Sequence, residues 1–128
     1  MRVVPTRVHA VFDYTASLLL VVAPWLFDFA RGGAETWIAV LLGMSGLLYS
    51  LCTDYERGRF RVIPMPIHLL LDVMIGVLLT VSPFLFGFAD YVWAPHVIMG
   101  LLSIGLALTT WRTPAFSRSG VPADASSY

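Results

Sequence analysis

His9 and Asp13 stand four residues apart, and so do His68 and Asp72. On a helix that spacing sets each imidazole one turn from its carboxylate, on the same face. Such a pair can share a hydrogen bond, pass a proton near neutral pH, or ligate a metal ion. Three readings of the quartet stay open. In the first it is a structural polar clasp, each Asp accepting from a His or a nearby backbone group to fix how the two halves of the chain pack. In the second it handles protons or ions within a membrane. In the third the two His and two Asp surround a divalent ion, or the two His serve as axial ligands of a haem. His96 stands apart from both pairs, and a satisfied or interfacial histidine is expected there.

The segments that carry these residues are too apolar for a soluble domain. Of 128 residues, 58% are hydrophobic and 12% charged, where soluble domains run near a quarter charged. Apolar stretches at about 8–29, 36–53, 67–89 and 92–111 each approach the roughly 20 residues that span a bilayer core. The second and fourth hold no Asp, Glu, Lys or Arg, so they lack the polar stripe a soluble helix would show. The first is too long for a signal peptide and has no small-x-small cleavage site, so a retained membrane helix is expected. Arg2, Arg7, Arg57, Arg59, Arg61, Arg112 and Arg118 lie in the N-terminal segment, the central loop and the C-terminal segment. Arg31 alone lies in the other two loops, which predicts cytoplasmic termini and an inner-membrane, multi-pass protein.

A shift of 59 residues lays Pro5 on Pro64, His9 on His68, Asp13 on Asp72, Pro24 on Pro83, Phe27 on Phe86 and Phe29 on Phe88. After a short gap, Trp37 and Gly43 fall opposite Trp93 and Gly100. Each half is therefore a helical hairpin that crosses twice, and the two halves run parallel, related by an axis near the membrane normal. The expected fold is all-α: an integral membrane four-helix bundle from two tandem two-helix repeats, 1–58 and 59–111, with 112–128 a disordered cytoplasmic tail.

Ala23-Pro24-Trp25 and Ser82-Pro83-Phe84, each preceded by a His and an Asp on the same helix, resemble the SPW-repeat integral membrane proteins of bacteria over roughly residues 4–111. Ala23 stands for the Ser of that tripeptide and Phe84 for the Trp. The resemblance implies a multi-pass membrane protein and brings no assigned chemistry. Pro24 and Pro83 predict helix kinks, with Trp25 and Phe84 at the outer interface. Ala39 with Gly43, Gly46 with Ser50, and Ser103 with Ala107 are small-residue pairs for close helix packing.

Other function classes lose ground. Eight arginines face eight acids, which leaves no basic surface for nucleic acid. Cys52 is alone and cannot form a disulfide or a cysteine metal cluster. No phosphate loop, HExxH or GxSxG motif occurs, so no enzyme is expected. The expected role is structural or accessory, with the bilayer and a second copy or another membrane protein as partners. No catalytic, metal or cofactor residue is assigned, and the alternative is a proton or ion transporter, or a metal- or haem-binding protein, using the His-Asp pairs.

Overall fold

In the computed structural model, which describes residues 1–54 and 58–113, four helices follow one another. They are α1 (Thr6–Leu26), α2 (Ala34–Cys52), α3 (Met65–Leu85) and α4 (Ala94–Thr109). The first three are long and apolar enough to cross a membrane. The tail expected from 112 onward falls outside the described residues after Thr113.

α4 is shorter than the 20-residue span expected for it, at 16 residues. Pro95 sits in its first turn, where a missing N–H costs nothing. At the other end Thr110 turns extended, because its neighbours leave the helix to pair with the N-terminal segment. Val3 and Val4 N–H donate to Thr109 O, and Trp111 N–H donates to Val4 O. The first repeat closes the same way: Val62 and Ile63 N–H donate to Cys52 O, and Asp54 N–H to Ile63 O. These two bridges, Val4 with Thr110 and Thr53 with Ile63, are related by the offsets of 59 and 57 residues that relate the helices.

Each hairpin is held by a close backbone approach. A Cβ on Gly43 would lie 2.7 Å from Ser17 O, and one on Gly76 would lie 2.7 Å from Gly100 O. Only residues without side chains let helices come so near in lipid. Between hairpins, α2 meets α3 and α1 meets α4 more loosely.

Pro24 and Pro83 lie inside the last turns of α1 and α3, so the interruption falls at the helix ends and not in mid-span. Pro24 O accepts from Phe29 and Ala30 N–H, and Pro83 O from Phe88 and Ala89 N–H. Asp28 and Gly87 follow the caps at φ 56° and 71°, the left-handed closure of a Schellman motif. Trp25 and Phe84 stand 60% and 67% exposed on the apolar outside.

The bundle is polar within and apolar without. Leu18, Leu41, Leu70, Leu101 and Leu102 face outward, while His9, His68, Asp72, Thr53, Thr110 and His96 are buried. This inversion of a soluble core fits helices immersed in hydrocarbon. The apolar core is confined to small clusters, Ala10, Met65, Leu69 and Ala107 at one level and Leu20, Ala39 and Leu79 at another.

Candidate functional site

His9 and Asp13 project from α1 one turn inside its start, and His68 and Asp72 project from α3 at the same depth. The fold brings all four together. His9 Nε2 lies 2.9 Å from Asp72 Oδ2 and 3.1 Å from Asp13 Oδ1. His68 Nε2 lies 2.9 Å from Asp13 Oδ2 and 3.3 Å from Asp72 Oδ2. The shorter contact of each imidazole crosses to the other repeat. Both His side chains are fully buried, and the carboxylates are nearly so.

The far side of each ring is also tied across the repeats. His9 Nδ1 lies 2.7 Å from Thr110 Oγ1, at the end of α4, and His68 Nδ1 lies 2.7 Å from Thr53 Oγ1, at the end of α2. Each threonine hydroxyl already donates to the carbonyl four residues back, Leu106 O or Tyr49 O, at 2.6 Å. A hydroxyl has one proton, so each threonine must accept from its histidine. Nδ1–H is thereby fixed on both rings, and Nε2 is the atom left to deal with the carboxylates. With one proton in each short His-Asp contact the quartet carries no net charge, which is what a group of this burial in lipid requires.

Two further contacts complete the site and break its symmetry. Tyr49 OH donates to Asp72 Oδ1 at 2.5 Å, and Ser103 Oγ donates to Asp72 O at 2.9 Å. Tyr49 maps onto Leu106 in the second repeat, so the repeat-equivalent position carries no phenol. On this side a cavity of about 340 Å³ opens between the helices, lined by His9, Asp13, Tyr49 and Asp72 at one end and by Leu20, Leu42, Leu79 and Met99 at the other.

The haem reading does not fit these distances. The His9 and His68 rings lie 5.4 Å apart between centroids at 74°, and the carboxylates fill the gap between their Nε2 atoms. A porphyrin plane cannot enter.

Thr53, Thr110 and Tyr49 were not among the residues singled out from sequence, and Ser103 was read there only as a small residue for close helix packing. The repeat carried a signal for the threonines, since the offset of 57 that lays Gly43 on Gly100 also lays Thr53 on Thr110. Tyr49 has no repeat partner and no such signal. Pro24, Trp25, Pro83 and Phe84 lie at the opposite end of the bundle and do not join the quartet.

That opposite end has its own polar cap. Glu35 Oε1 accepts from Gly33 N–H at 3.0 Å, from Arg31 N–H at 3.2 Å and from Thr36 Oγ1 at 3.0 Å. The start of α2 thus lies two residues before the apolar stretch read from sequence, and Glu35 belongs to its first turn. His96 is buried here, not interfacial. Its Nε2 donates to Glu35 O at 2.9 Å, the rings of Phe29 and Phe88 flank it, and its Nδ1 has no hydrogen-bond partner among the described residues. Cys52 is half-buried.

A family model described as the SPW repeat domain matches residues 7–110. No curated protein and no solved structure matches the chain.

Proposed function

The chain belongs to the SPW repeat family, and on that footing we propose that it is a non-catalytic inner-membrane protein in which the His-Asp quartet clasps the two repeats into one bundle, in a structural or accessory role. One observation supports this above the others: the short contacts of His9, to Asp72 and Thr110, both go to the second repeat, and those of His68, to Asp13 and Thr53, both go to the first. A clasp between halves calls for partners exchanged across them, and the shorter contact of each imidazole is so exchanged. The hairpins pack more loosely against each other than within themselves, and at this end the quartet joins them through side chains where Val4 with Thr110 and Thr53 with Ile63 join them through the backbone.

The quartet lies at the end that holds the arginine-rich segments, so the positive-inside rule sets it, with both termini, on the cytoplasmic side. The leucine-covered outer surface is left for lipid or for a second copy.

A protease site inserted after Gly58 tests the clasp. After cleavage the two halves should co-purify in detergent, and in the Asp13→Asn, Asp72→Asn double variant they should separate. Halves that stay together equally well in both proteins would refute it.

A further inference from the structure

We propose that the clasp binds one divalent transition-metal ion, of the Zn2+ class, through His9 Nε2, His68 Nε2, Asp13 and Asp72. This inference rests on the clasp reading, which it deepens by naming the ligand.

The donor atoms of the four residues lie within 4.8 Å of one another. Four ligands about 2.0–2.1 Å from a tetrahedral ion stand roughly 3.3 Å apart along each edge. The four His-Asp contacts span 2.9–3.3 Å, those of Asp13 through its two different oxygens, so an ion is accommodated once one Asp13 oxygen turns to face both rings and the wider donor pairs draw together. A plain hydrogen-bonded pair would aim each Nε2–H at one oxygen. Here each Nε2 lies within 3.3 Å of both carboxylates.

The groups behind the ligands are those a metal-bound histidine uses. A ligating imidazole presents a bare nitrogen to the metal and donates its other N–H to a fixed acceptor, which sets the ring's orientation. Thr110 and Thr53 are such acceptors, and their own donations to Leu106 O and Tyr49 O leave them no other role toward the ring. Tyr49 holds the second oxygen of Asp72 in the same way. Two carboxylates and two neutral imidazoles carry two negative charges, which one divalent ion cancels. Its binding displaces the two protons that otherwise bridge nitrogen and oxygen, and the buried site stays neutral in both forms.

Imidazole nitrogen with carboxylate oxygen suits Zn2+ and its first-row neighbours, and disfavours Ca2+ and Mg2+, which take oxygen alone. The quartet borders the cavity, which His9, Asp13 and Asp72 line.

The experiment uses the full chain in detergent, stripped with EDTA and titrated with Zn2+ alone. One Zn2+ per chain is expected by mass spectrometry and calorimetry, together with a rise in melting temperature. The Asp13→Asn, Asp72→Asn variant should lose binding by at least about 100-fold. Thr53→Val with Thr110→Val keeps all four ligands and should weaken binding roughly 10- to 100-fold, which a merely structural threonine would not do. No Zn2+ on a wild type that still melts above the Asn variant in EDTA would overturn the metal site and leave the clasp standing. No Zn2+ and no difference in melting would overturn both. Zn2+ bound equally by wild type and Asn variant would place the ion elsewhere and also overturn the site.

Discussion

Replacing Asp72 by asparagine keeps the shape of the side chain and removes its charge, so it isolates what the carboxylate does. Asp72 accepts from His9 Nε2 at 2.9 Å and from Tyr49 OH at 2.5 Å, with His68 Nε2 at 3.3 Å. An amide keeps one accepting oxygen and turns an NH2 toward a donor it cannot pair with. In water-soluble cores, removing one partner of a buried charged pair costs about 3–5 kcal/mol. In a membrane the separated helices are also short of water, and single interhelical hydrogen bonds average about 0.6 and reach about 1.7 kcal/mol. Several contacts fail together here, two of them charge-assisted, so the expected loss is about 2–3 kcal/mol, roughly a 30- to 140-fold shift toward separated halves. The control is Ser103→Ala, which removes one neutral bond to Asp72 O and should cost about 0.6 kcal/mol. Both are read from SDS-titrated unfolding in mixed micelles with EDTA present. An Asp72→Asn loss no larger than that of Ser103→Ala would refute the assignment of the quartet as the principal tie between repeats.

Other expectations follow from single contacts. Gly100→Ala drives a Cβ to 2.5 Å from Gly76 O and 2.8 Å from Thr80 N, and should cost about 1–3 kcal/mol. Gly105→Ala meets nothing within 4 Å and should gain up to about 1 kcal/mol from helix propensity; equal melting temperatures for the two variants would contradict the close α3–α4 approach. Leu106→Tyr sets a phenol at the repeat equivalent of Tyr49, where it should reach Asp13, reduce the cavity and add about 1 kcal/mol; a lower melting temperature would show that the halves are not equivalent at this level. In a Cys52→Ala background, Arg31→Cys should react with an impermeant maleimide in intact cells and Arg59→Cys only after lysis, and the reverse pattern would invert the topology.

The repeat was legible because it keeps chemically expensive residues in register. His9 with His68 and Asp13 with Asp72 are hard to align by chance in an apolar chain, and the spacing of four already placed each pair on one face. What the spacing could not show was whom each residue meets. An i, i+4 pair reads as a local contact, and a local contact exists, yet the shortest distance from each imidazole runs to the other helix. Thr53 and Thr110 are marked only by the repeat offset, because a threonine at a helix end usually bonds its own backbone. Both do so, and the second lone pair that serves the histidine leaves no mark on local pattern. Glu35 falls just before the apolar stretch at 36–53, and a charge is costly in lipid. The structure folds it back onto Arg31, Gly33 and Thr36, where its charge is spent on the exposed amides of the α2 start.

Parallel duplication explains why such a quartet can stand in a bilayer at all. A single hairpin offers an imidazole, a carboxylate and a terminal threonine, and its internal contacts satisfy only the first two in part. The second hairpin, turned about an axis along the bundle, presents the same three groups in the order that completes them: carboxylate to Nε2, hydroxyl to Nδ1. This is the geometry of an isologous pair, in which each side gives what it receives. Fusing the two halves into one chain then frees them to differ, and the differences gather on one side. Tyr49 donates to Asp72, while Leu106 stands at the equivalent place in the second repeat. A symmetric clasp has no preferred way in. With Tyr49 on one side and Leu106 on the other, the two ends of the quartet are unequal, and the cavity meets the quartet with both carboxylates in its lining.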